Sequence, residues 1–222
     1  MLNRKQIRYC LDTFQEMFPD AECELVHNNP FELLVAVVLS AQATDALVNK
    51  VTPGLFQKYK GPEDILEVTV EELQNDIKSI GLYRNKAKNI KKLSKTLVEK
   101  FNGVVPETKE ELESLAGVGR KTANVVASVA FHVPAIAVDT HVERVSKRLG
   151  FCRWKDSVLE VERTLMRKIP KEEWSVSHHR MIFFGRYHCK AKRPECPECP
   201  LLFLCREGQK RMNKMNKAAE GK

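Results

Sequence analysis

Four closely spaced cysteines restrict the fold of this chain more than any other feature. They lie within 17 residues in the spacing C-x6-C-x2-C-x5-C, at Cys189, Cys196, Cys199 and Cys205. Thiolates are soft ligands that suit zinc, copper(I) or an iron-sulfur cluster. Because four of them can close around one centre, we expect residues 189–205 to fold around a metal group.

The spacing of the cysteines distinguishes between kinds of metal group. A structural zinc site usually has two tight C-x2-C knuckles, and here only Cys196 and Cys199 form one. The longer spacers leave room for the larger cube of a [4Fe-4S] cluster, which four cysteines hold. The spacing therefore favours the cluster, with zinc as the alternative. Disulfides are a third possibility, but they require an oxidising compartment.

The remaining sequence indicates a reducing compartment. The first ten residues, MLNRKQIRYC, are polar and helical in pattern, so we expect no secretory signal segment. No segment approaches the roughly 18 consecutive apolar residues of a membrane span. We therefore predict a cytosolic protein without a membrane partner. Three further cysteines are scattered, and we interpret each as an ordinary buried residue: Cys10, Cys23 and Cys152.

Composition permits a packed enzyme and suggests a polyanionic partner. The chain has 222 residues, of which 43% are hydrophobic, enough for one large or two small domains. Its formal charge is +8 and its pI is about 9.1. Cations that neutralise phosphates release counterions, which favours nucleic acid as the partner. Basic charge alone also occurs in soluble enzymes that bind no nucleic acid, so that alternative stays open.

Hydrophobic periodicity predicts an all-α fold. Residues 3–17 carry an apolar face at helical spacing, and helix-capping residues mark later helix starts at Asn29, Thr44 and Thr69. Thr69 and Glu72 form the pattern of a capping box, whose helix we expect to end at the glycine that follows Ile80. Strand-like alternation is almost absent, and no repeat of fixed period occurs.

Residues 108–131 have the pattern of a helix-hairpin-helix. A short helix over residues 108–115 leads into a turn that contains Gly117 and Gly119, and an apolar helix follows to about Phe131. Glycines let the backbone bend tightly, and the amides at the start of the second helix can donate to an anion. A DNA phosphate fits this pattern. A helix pair that simply turns on two glycines is the alternative.

Two cations follow the hairpin turn, at positions where positive charge normally destabilises a helix. Arg120 and Lys121 occupy the first turn of the second helix, where the macrodipole disfavours positive charge by roughly 0.3 to 1 kcal/mol. Local rules tend to be broken at functional sites. The amine of Lys121 is therefore a candidate nucleophile. The alternative is a solvated lysine beside a phosphate.

Asp139 follows an apolar stretch and precedes a new helix. An Asp in this position is a good N-cap, and that role is the default explanation. A carboxylate held at a helix start is also well placed to act as an acid or base, or to stabilise a cationic intermediate.

Several motifs together carry a resemblance that covers nearly the whole chain. LAGVGRKTANVV, VDTHVERV and the four-cysteine spacing occur in the order and at the separations of the endonuclease III family, which consists of helix-hairpin-helix DNA glycosylases. LLVAVVLSAQATD, IGLYRNKA and FGRYHC match as well. One departure is Ala116, where the family commonly has proline. That change loosens the turn slightly, while both glycines and Lys121 remain.

The resemblance implies a bifunctional glycosylase and abasic-site lyase that removes oxidised pyrimidines from duplex DNA. The damaged nucleotide would be flipped out of the stack, since its C1′ cannot be reached inside the duplex. Lys121 would attack C1′, and the resulting Schiff base would promote β-elimination. Asp139 would assist by electrostatic stabilisation and proton transfer. A [4Fe-4S] cluster on Cys189, Cys196, Cys199 and Cys205 is implied as well.

The resemblance also implies a set of DNA contacts. Gln42 and Leu82 match positions that fill the gap left by the flipped base and wedge the opposite strand; ordinary packing or surface polarity is the alternative for each. The hairpin residues Gly117, Gly119 and Arg120 would meet the DNA backbone. A loop between the first two cluster ligands carries three further cations, at Lys190, Lys192 and Arg193.

The family fold has two helical domains with a DNA-binding cleft between them. We place a six-helix barrel at residues 22–133 and a discontinuous cluster domain at residues 1–21 plus 134–222. The expected partner is double-stranded DNA with a damaged base or abasic site, bound by a monomer in the nucleoid of a bacterial cytoplasm. Two other classes stay open: a DNA-binding module without catalysis, and an iron-sulfur redox protein.

Overall fold

The protein is described from a computed structural model, which describes the backbone of residues 1–220 and the side chains of residues 1–217. Within residues 1–220 the backbone forms α-helices and no strand. The helices are α1 (Arg4–Met17), α2 (Pro30–Ser40), α3 (Asp45–Lys58), α4 (Pro62–Glu67), α5 (Val70–Asp76), α6 (Tyr83–Phe101), α7 (Lys109–Glu113), α8 (Arg120–Phe131), α9 (Thr140–Leu149), α10 (Val158–Lys168), α11 (Trp174–Phe183) and α12 (Arg206–Glu220).

The all-α prediction is confirmed. A 3-10 turn at Lys171–Glu173 precedes α11, and a π-helical turn at Phe184–His188 extends it. None of the helices in the described part of the chain is long and apolar enough to cross a membrane.

Local capping explains where several helices begin. The Asn29 side chain accepts a hydrogen bond from the Glu32 amide at 2.9 Å, and Pro30 follows as the first residue of α2. Thr69 and Glu72 form the predicted capping box of α5. These side chains satisfy amides that the first helical turn leaves without partners. The predicted helix starts at Asn29, Thr44 and Thr69 are therefore confirmed.

Two predicted helix ends are wrong. We expected the helix after Thr69 to continue to Ile80, but α5 ends at Asp76. Ile77 and Ile80 are both buried, and the Ile80 amide donates to the Ile77 carbonyl at 2.9 Å in a tight turn. The predicted helix 108–115 is likewise shorter, spanning Lys109–Glu113. In the first case a three-residue apolar spacing fits a tight turn as well as a helix.

The chain folds into two compact units. The internal unit is Cys23–Ala135, and the terminal unit combines Met1–Glu22 with Ile136–Lys222. The internal unit begins one residue later and ends two residues later than the expected range of 22–133. Each unit has its own hydrophobic cluster, so each is described by itself.

The internal unit is built around α2. Nearly every side chain of that helix is buried, and Leu33, Leu34 and Leu39 are fully enclosed. Helix α8 packs on α2, and α4 and α5 pack on α6. Burial of a leucine side chain contributes about 1.5–3 kcal/mol. The apolar character of residues 31–39 is therefore explained by a helix surrounded by neighbours rather than by a membrane.

The terminal unit joins the first helix of the chain to the last four. Helix α1 packs against α11, and the Phe14 ring lies 4.8 Å from the Phe184 ring, centroid to centroid. Cys10 and Cys152 are buried, and burial raises the pKa of their thiols to about 12 and about 11. These two cysteines are ordinary buried residues, as predicted. Cys23, which lies in the internal unit, is only half-buried.

Candidate functional site

The hairpin turn lies between α7 and α8 in the internal unit. Gly117 has a φ of +81°, and a Cβ there would lie 2.9 Å from the Asn89 side chain of α6, so glycine is required. Gly119 is different: its φ is −96°, and a Cβ would meet nothing within 4 Å. Gly119 caps α8 without a side chain. The start of α8 is therefore open to an external anion.

Lys121 is the second residue of α8 and is exposed. In the described part of the chain its amine takes part in no hydrogen bond or ion pair. The amine thus stands beside the hairpin turn with nothing to restrain it. This arrangement leaves the Lys121 amine accessible to an electrophile.

Asp139 is the N-cap of α9, as its position in the sequence predicted. Its Oδ1 atom accepts hydrogen bonds from the amides of His141 at 2.9 Å and Val142 at 2.8 Å. Both bonds use the same oxygen, so Oδ2 stays available. Asp139 belongs to the terminal unit, whereas Lys121 belongs to the internal unit.

Two exposed turns of the internal unit share an unusual backbone conformation. Gln42 and Leu82 have positive φ values of 56° and 60°, although neither is glycine. The turns are neighbours, because a Cβ on Gly81 would lie 3.8 Å from the Gln42 carbonyl oxygen. Leu82 exposes 55% of its surface. Such left-handed conformations cost of order 1–3 kcal/mol each and often mark functional positions.

The four spaced cysteines surround one space in the terminal unit. A cavity of about 370 Å³, including its opening to solvent, is lined by Cys189, Cys196, Cys199 and Cys205. All seven cysteines of the chain are free, which argues against the disulfide alternative. Among the described residues, no three His, Cys, Asp or Glu side chains are grouped closely enough to hold a metal ion. The cavity brings the four predicted metal ligands to one place.

Backbone amides point at two of the cysteine sulfurs. The Gly208 amide, in the first turn of α12, donates to Cys205 Sγ at 3.2 Å, and the Leu201 amide donates to Cys199. Burial nevertheless raises the pKa of the Cys199 thiol to about 11 and also raises the pKa of Cys205. The protein alone therefore disfavours the thiolates, and a bound cation would supply the missing stabilisation.

Two arginines of α9 fix the backbone around the first cysteine. Arg148 is almost completely buried, and its guanidinium donates to the carbonyls of Lys190 at 2.7 Å and Ala191 at 3.0 Å. Arg144 donates to the carbonyls of Cys189 at 3.2 Å and Gly185 at 2.8 Å. Burial lowers the pKa of Arg144. Residues 189–191 have little regular secondary structure. Their backbone is held instead by the side chains of Arg144 and Arg148.

One of the three cations in the loop between Cys189 and Cys196 is paired with a carboxylate. Lys190 forms an ion pair with Glu195 at 2.5 Å, whereas Lys192 and Arg193 are exposed. Arg193 has a positive φ of 51°. Of the three predicted DNA-binding cations in this loop, Lys190 would have to leave Glu195 to reach a phosphate.

Comparisons with known proteins agree on one family. A family model described as the HhH-GPD superfamily of base excision DNA repair proteins matches residues 35–171. The endonuclease III of Bacillus subtilis (strain 168) is 76% identical over 214 residues, which cover 96% of this chain and 98% of that protein.

The chain belongs to the HhH-GPD superfamily, within the endonuclease III family. As a member of that family it is a DNA glycosylase with abasic-site lyase activity.

Solved structures agree with this assignment. A trapped endonuclease III–DNA covalent intermediate in an estranged-adenine complex is 74% identical to this chain, with a TM-score of 0.94. The alignment covers 96% of this chain and 100% of that one. A non-covalent endonuclease III–DNA complex is 73% identical, with the same TM-score and coverage. The fold of these endonuclease III structures is therefore present over almost the whole length of this chain.

Sequence reasoning missed three basic residues of this HhH-GPD chain that act inside the fold. Arg144 and Arg148 hold the segment that carries Cys189, and Lys86 is a buried lysine of α6. The spacing of four residues places both arginines on one face of α9, which is the only signal the sequence offers. Lys86 gave no signal, because lysine on a helix normally faces solvent.

Proposed function

We propose that this protein removes oxidised pyrimidines from duplex DNA and then cleaves the strand at the abasic site. The exposed amine of Lys121, directly after the two-glycine hairpin turn, carries this proposal. Support comes from the covalent protein–DNA intermediate formed by a chain that is 74% identical. A covalent intermediate with DNA requires a nucleophile, and Lys121 matches the position of the family's nucleophilic lysine.

The proposed reaction has two parts, release of the base and cleavage of the strand. The Lys121 amine attacks C1′ of the flipped nucleotide, a C–N bond forms, and the bond between C1′ and the base breaks as the base leaves with a proton. Ring opening of the sugar gives a Schiff base between Lys121 and C1′. Loss of a C2′ proton then expels the 3′ phosphate by β-elimination.

Asp139 would act on the same sugar. Its Oδ1 is fixed by two amides, so the carboxylate keeps one orientation, and its Oδ2 can accept a proton or face positive charge. Helix capping and chemistry therefore use different oxygens of one side chain.

DNA contacts are proposed for three surfaces of the chain. The open start of α8, with Gly117, Gly119 and Arg120, suits a phosphate oxygen. The exposed turns at Gln42 and Leu82 suit the space left by the flipped nucleotide. The loop with Lys190, Lys192 and Arg193 suits the backbone of the duplex. Binding as a monomer to double-stranded DNA with a damaged base or abasic site completes the proposal.

The cysteine pocket would hold a [4Fe-4S] cluster. Its four sulfurs share one cavity, and backbone amides donate to two of them. Bound there, the cluster supplies a rigid cross-link between residues 189 and 205. The chemistry belongs to Lys121, so no reaction step depends on the oxidation state of the cluster.

Borohydride trapping tests the function. Reduction of the Schiff base should yield a covalent adduct with duplex DNA that carries thymine glycol or an abasic site. Lys121→Gln should abolish the adduct, whereas Lys92→Gln, at an exposed lysine of the same unit, should leave it intact. An adduct of equal yield with Lys121→Gln would exclude Lys121 as the nucleophile. DNA binding without any adduct in the native protein would instead indicate a non-catalytic DNA-binding module.

A further inference from the structure

The turns at Gln42 and Leu82 each hold one residue in a strained backbone conformation. Each has a non-glycine residue in the left-handed region, with φ of 56° and 60°. Such a conformation persists only where the surrounding structure enforces it. The two turns lie side by side, so a shift in one changes the distance to the other.

The Lys86 side chain connects α6, which begins beside the Leu82 turn, to the end of α2. It lies in the first turn of α6 and is 5% exposed. Its backbone amide donates to the Leu82 carbonyl at 3.1 Å, and its ammonium donates to the Leu39 carbonyl at 2.9 Å. Leu39 is three residues before Gln42, at the end of α2. One residue thus links the end of α2 to the start of α6.

The ammonium supplies one of the hydrogen bonds at the end of α2. The Val37 carbonyl accepts from the Ser40 hydroxyl at 2.9 Å, and the Ser40 carbonyl accepts from the Ala43 amide at 3.0 Å. The Leu39 carbonyl is left for Lys86. A cation is favourable at this negative end of a helix.

Burial of a lysine at this position costs free energy that an apolar side chain would not cost. Burial lowers the pKa of Lys86, since a buried ammonium loses hydration. An apolar side chain of the same length would fill the space without that cost. The ammonium is therefore explained by its hydrogen bond to the Leu39 carbonyl rather than by the volume of the side chain.

We propose that Lys86 is a positioning residue that holds the Gln42 and Leu82 turns in register so that they can open the duplex. The inference rests on the proposed DNA contacts of these turns. Lys86 itself touches neither the flipped nucleotide nor Lys121 in this scheme. Its loss should therefore impair the step in which a paired base leaves the stack and spare the chemistry at an accessible sugar.

The test compares two substrates of the same enzyme under single-turnover conditions. Lys86→Met keeps the unbranched side chain and removes the ammonium. We expect excision of thymine glycol from duplex DNA to slow by roughly tenfold or more, as misplaced groups in enzymes commonly cause. Cleavage of an abasic site in single-stranded DNA should stay unchanged. A 2-aminopurine opposite the lesion should show a smaller fluorescence rise on binding.

Lys91 provides a matched control on the same helix. Its ammonium donates to the carbonyls of Ile65 at 2.6 Å and Leu66 at 2.8 Å, and also to that of Val68. Lys91 thus caps α4 as Lys86 caps α2, but α4 leads to neither turn. Lys91→Met should lower the melting temperature to a similar extent and keep duplex excision. If Lys86→Met does not fold, Lys86→Gln, with a shorter neutral amide, takes its place.

The outcomes separate the inference from the proposed function. If the Lys86 and Lys91 variants lose duplex excision equally, in proportion to the fall in their melting temperatures, then Lys86 has only a structural role. Gln42→Ala and Leu82→Ala should each impair duplex excision. If both variants excise normally while Lys121→Gln is inactive, the role of the turns and of Lys86 is refuted, and the glycosylase assignment stands.

Discussion

The two units of this protein are stabilised in different ways. The internal unit is a set of helices around the buried α2, and its functional groups lie on turns between well-packed elements. The terminal unit also has an apolar core, but residues 189–205 include little regular helix and depend on Arg144, Arg148 and the cysteine pocket. Under the proposed function, the first unit is held by packing, whereas the second also has a pocket for the proposed cluster.

This difference indicates how structure and chemistry are divided. Lys121 and the turns at Gln42 and Leu82 belong to the unit that packing alone can hold in place. The cysteines belong to the other unit, together with Asp139. Loss of the cluster should therefore damage the terminal unit first, and loss of Asp139 should show whether that unit contributes to the reaction at all.

Of the changes in the terminal unit, Asp139→Asn should have the largest effect. Asparagine also accepts hydrogen bonds from the amides of His141 and Val142, so α9 keeps its cap. The charge and the basic oxygen are lost, and we expect excision to slow by about 10²- to 10⁴-fold with an unchanged melting temperature. Single-turnover rates and thermal melting measure both. Asp139→Ala is the control, which should in addition lose about 1 kcal/mol of stability. A rate within threefold of the native enzyme would limit Asp139 to capping.

Removal of iron should have the next largest effect, and only in one unit. Without the bound group, the four cysteines no longer link residues 189–205 to one another, and the guanidinium groups of Arg144 and Arg148 hold only the carbonyls of residues 189–191 within that segment. We expect amide exchange in that segment to accelerate roughly 100-fold, or about 2.7 kcal/mol. Amides of α2, α6 and α8 should keep their protection in hydrogen-exchange mass spectrometry. Equal acceleration in both units would show that the internal unit also depends on the cluster.

The two hairpin glycines should respond differently to alanine. Gly117→Ala forces a Cβ into a positive-φ position and against Asn89, so we expect a loss of about 1–2 kcal/mol of stability. Gly119→Ala meets open space at ordinary φ, so stability should stay within about 0.5 kcal/mol of the native value. Its affinity for abasic-site DNA should fall, because the added methyl group faces the proposed phosphate. Thermal melting and fluorescence anisotropy measure the two quantities. Full affinity in Gly119→Ala would place the phosphate elsewhere.

The smallest effects concern the basic loop of the terminal unit. Lys192 is exposed, and Lys192→Ala should reduce the slope of log binding constant against log salt by about 1. Lys190→Ala should change the slope less, since Glu195 already occupies that ammonium. Binding of undamaged duplex at several salt concentrations gives both slopes. Unchanged slopes in both variants would remove this loop from the DNA contacts.

The sequence predicts helix starts better than helix ends. Asn29 and Thr69 show where α2 and α5 begin because a capping side chain acts within three residues. The end of α5 at Asp76 depends instead on burial of Ile77 and Ile80, which is a property of the assembled core. The π-helical turn that leads to Cys189 also escaped prediction. Its Gly185 is needed because a Cβ would lie 2.9 Å from His141.

The residues of the candidate site likewise separate into those that a local pattern predicts and those that depend on the assembled fold. The hairpin glycines, Lys121 and the cysteine spacing are local patterns, so the sequence exposes them directly. Lys86 and Arg148 act through carbonyls 47 and 42 residues away, and no local pattern pairs such groups. Buried cations are also rare, so a helix pattern places them at the surface by default.

The discontinuity of the terminal unit has a consequence for synthesis. A ribosome releases α1 first, with the apolar side chains of Ile7, Leu11 and Phe14 on one face. The whole internal unit then emerges and can fold by itself before α11, the partner of α1, exists. The last cysteine, Cys205, appears later still. The segment that carries Lys121 is therefore complete on the nascent chain before α1 has its helix partner and before the fourth of the spaced cysteines exists.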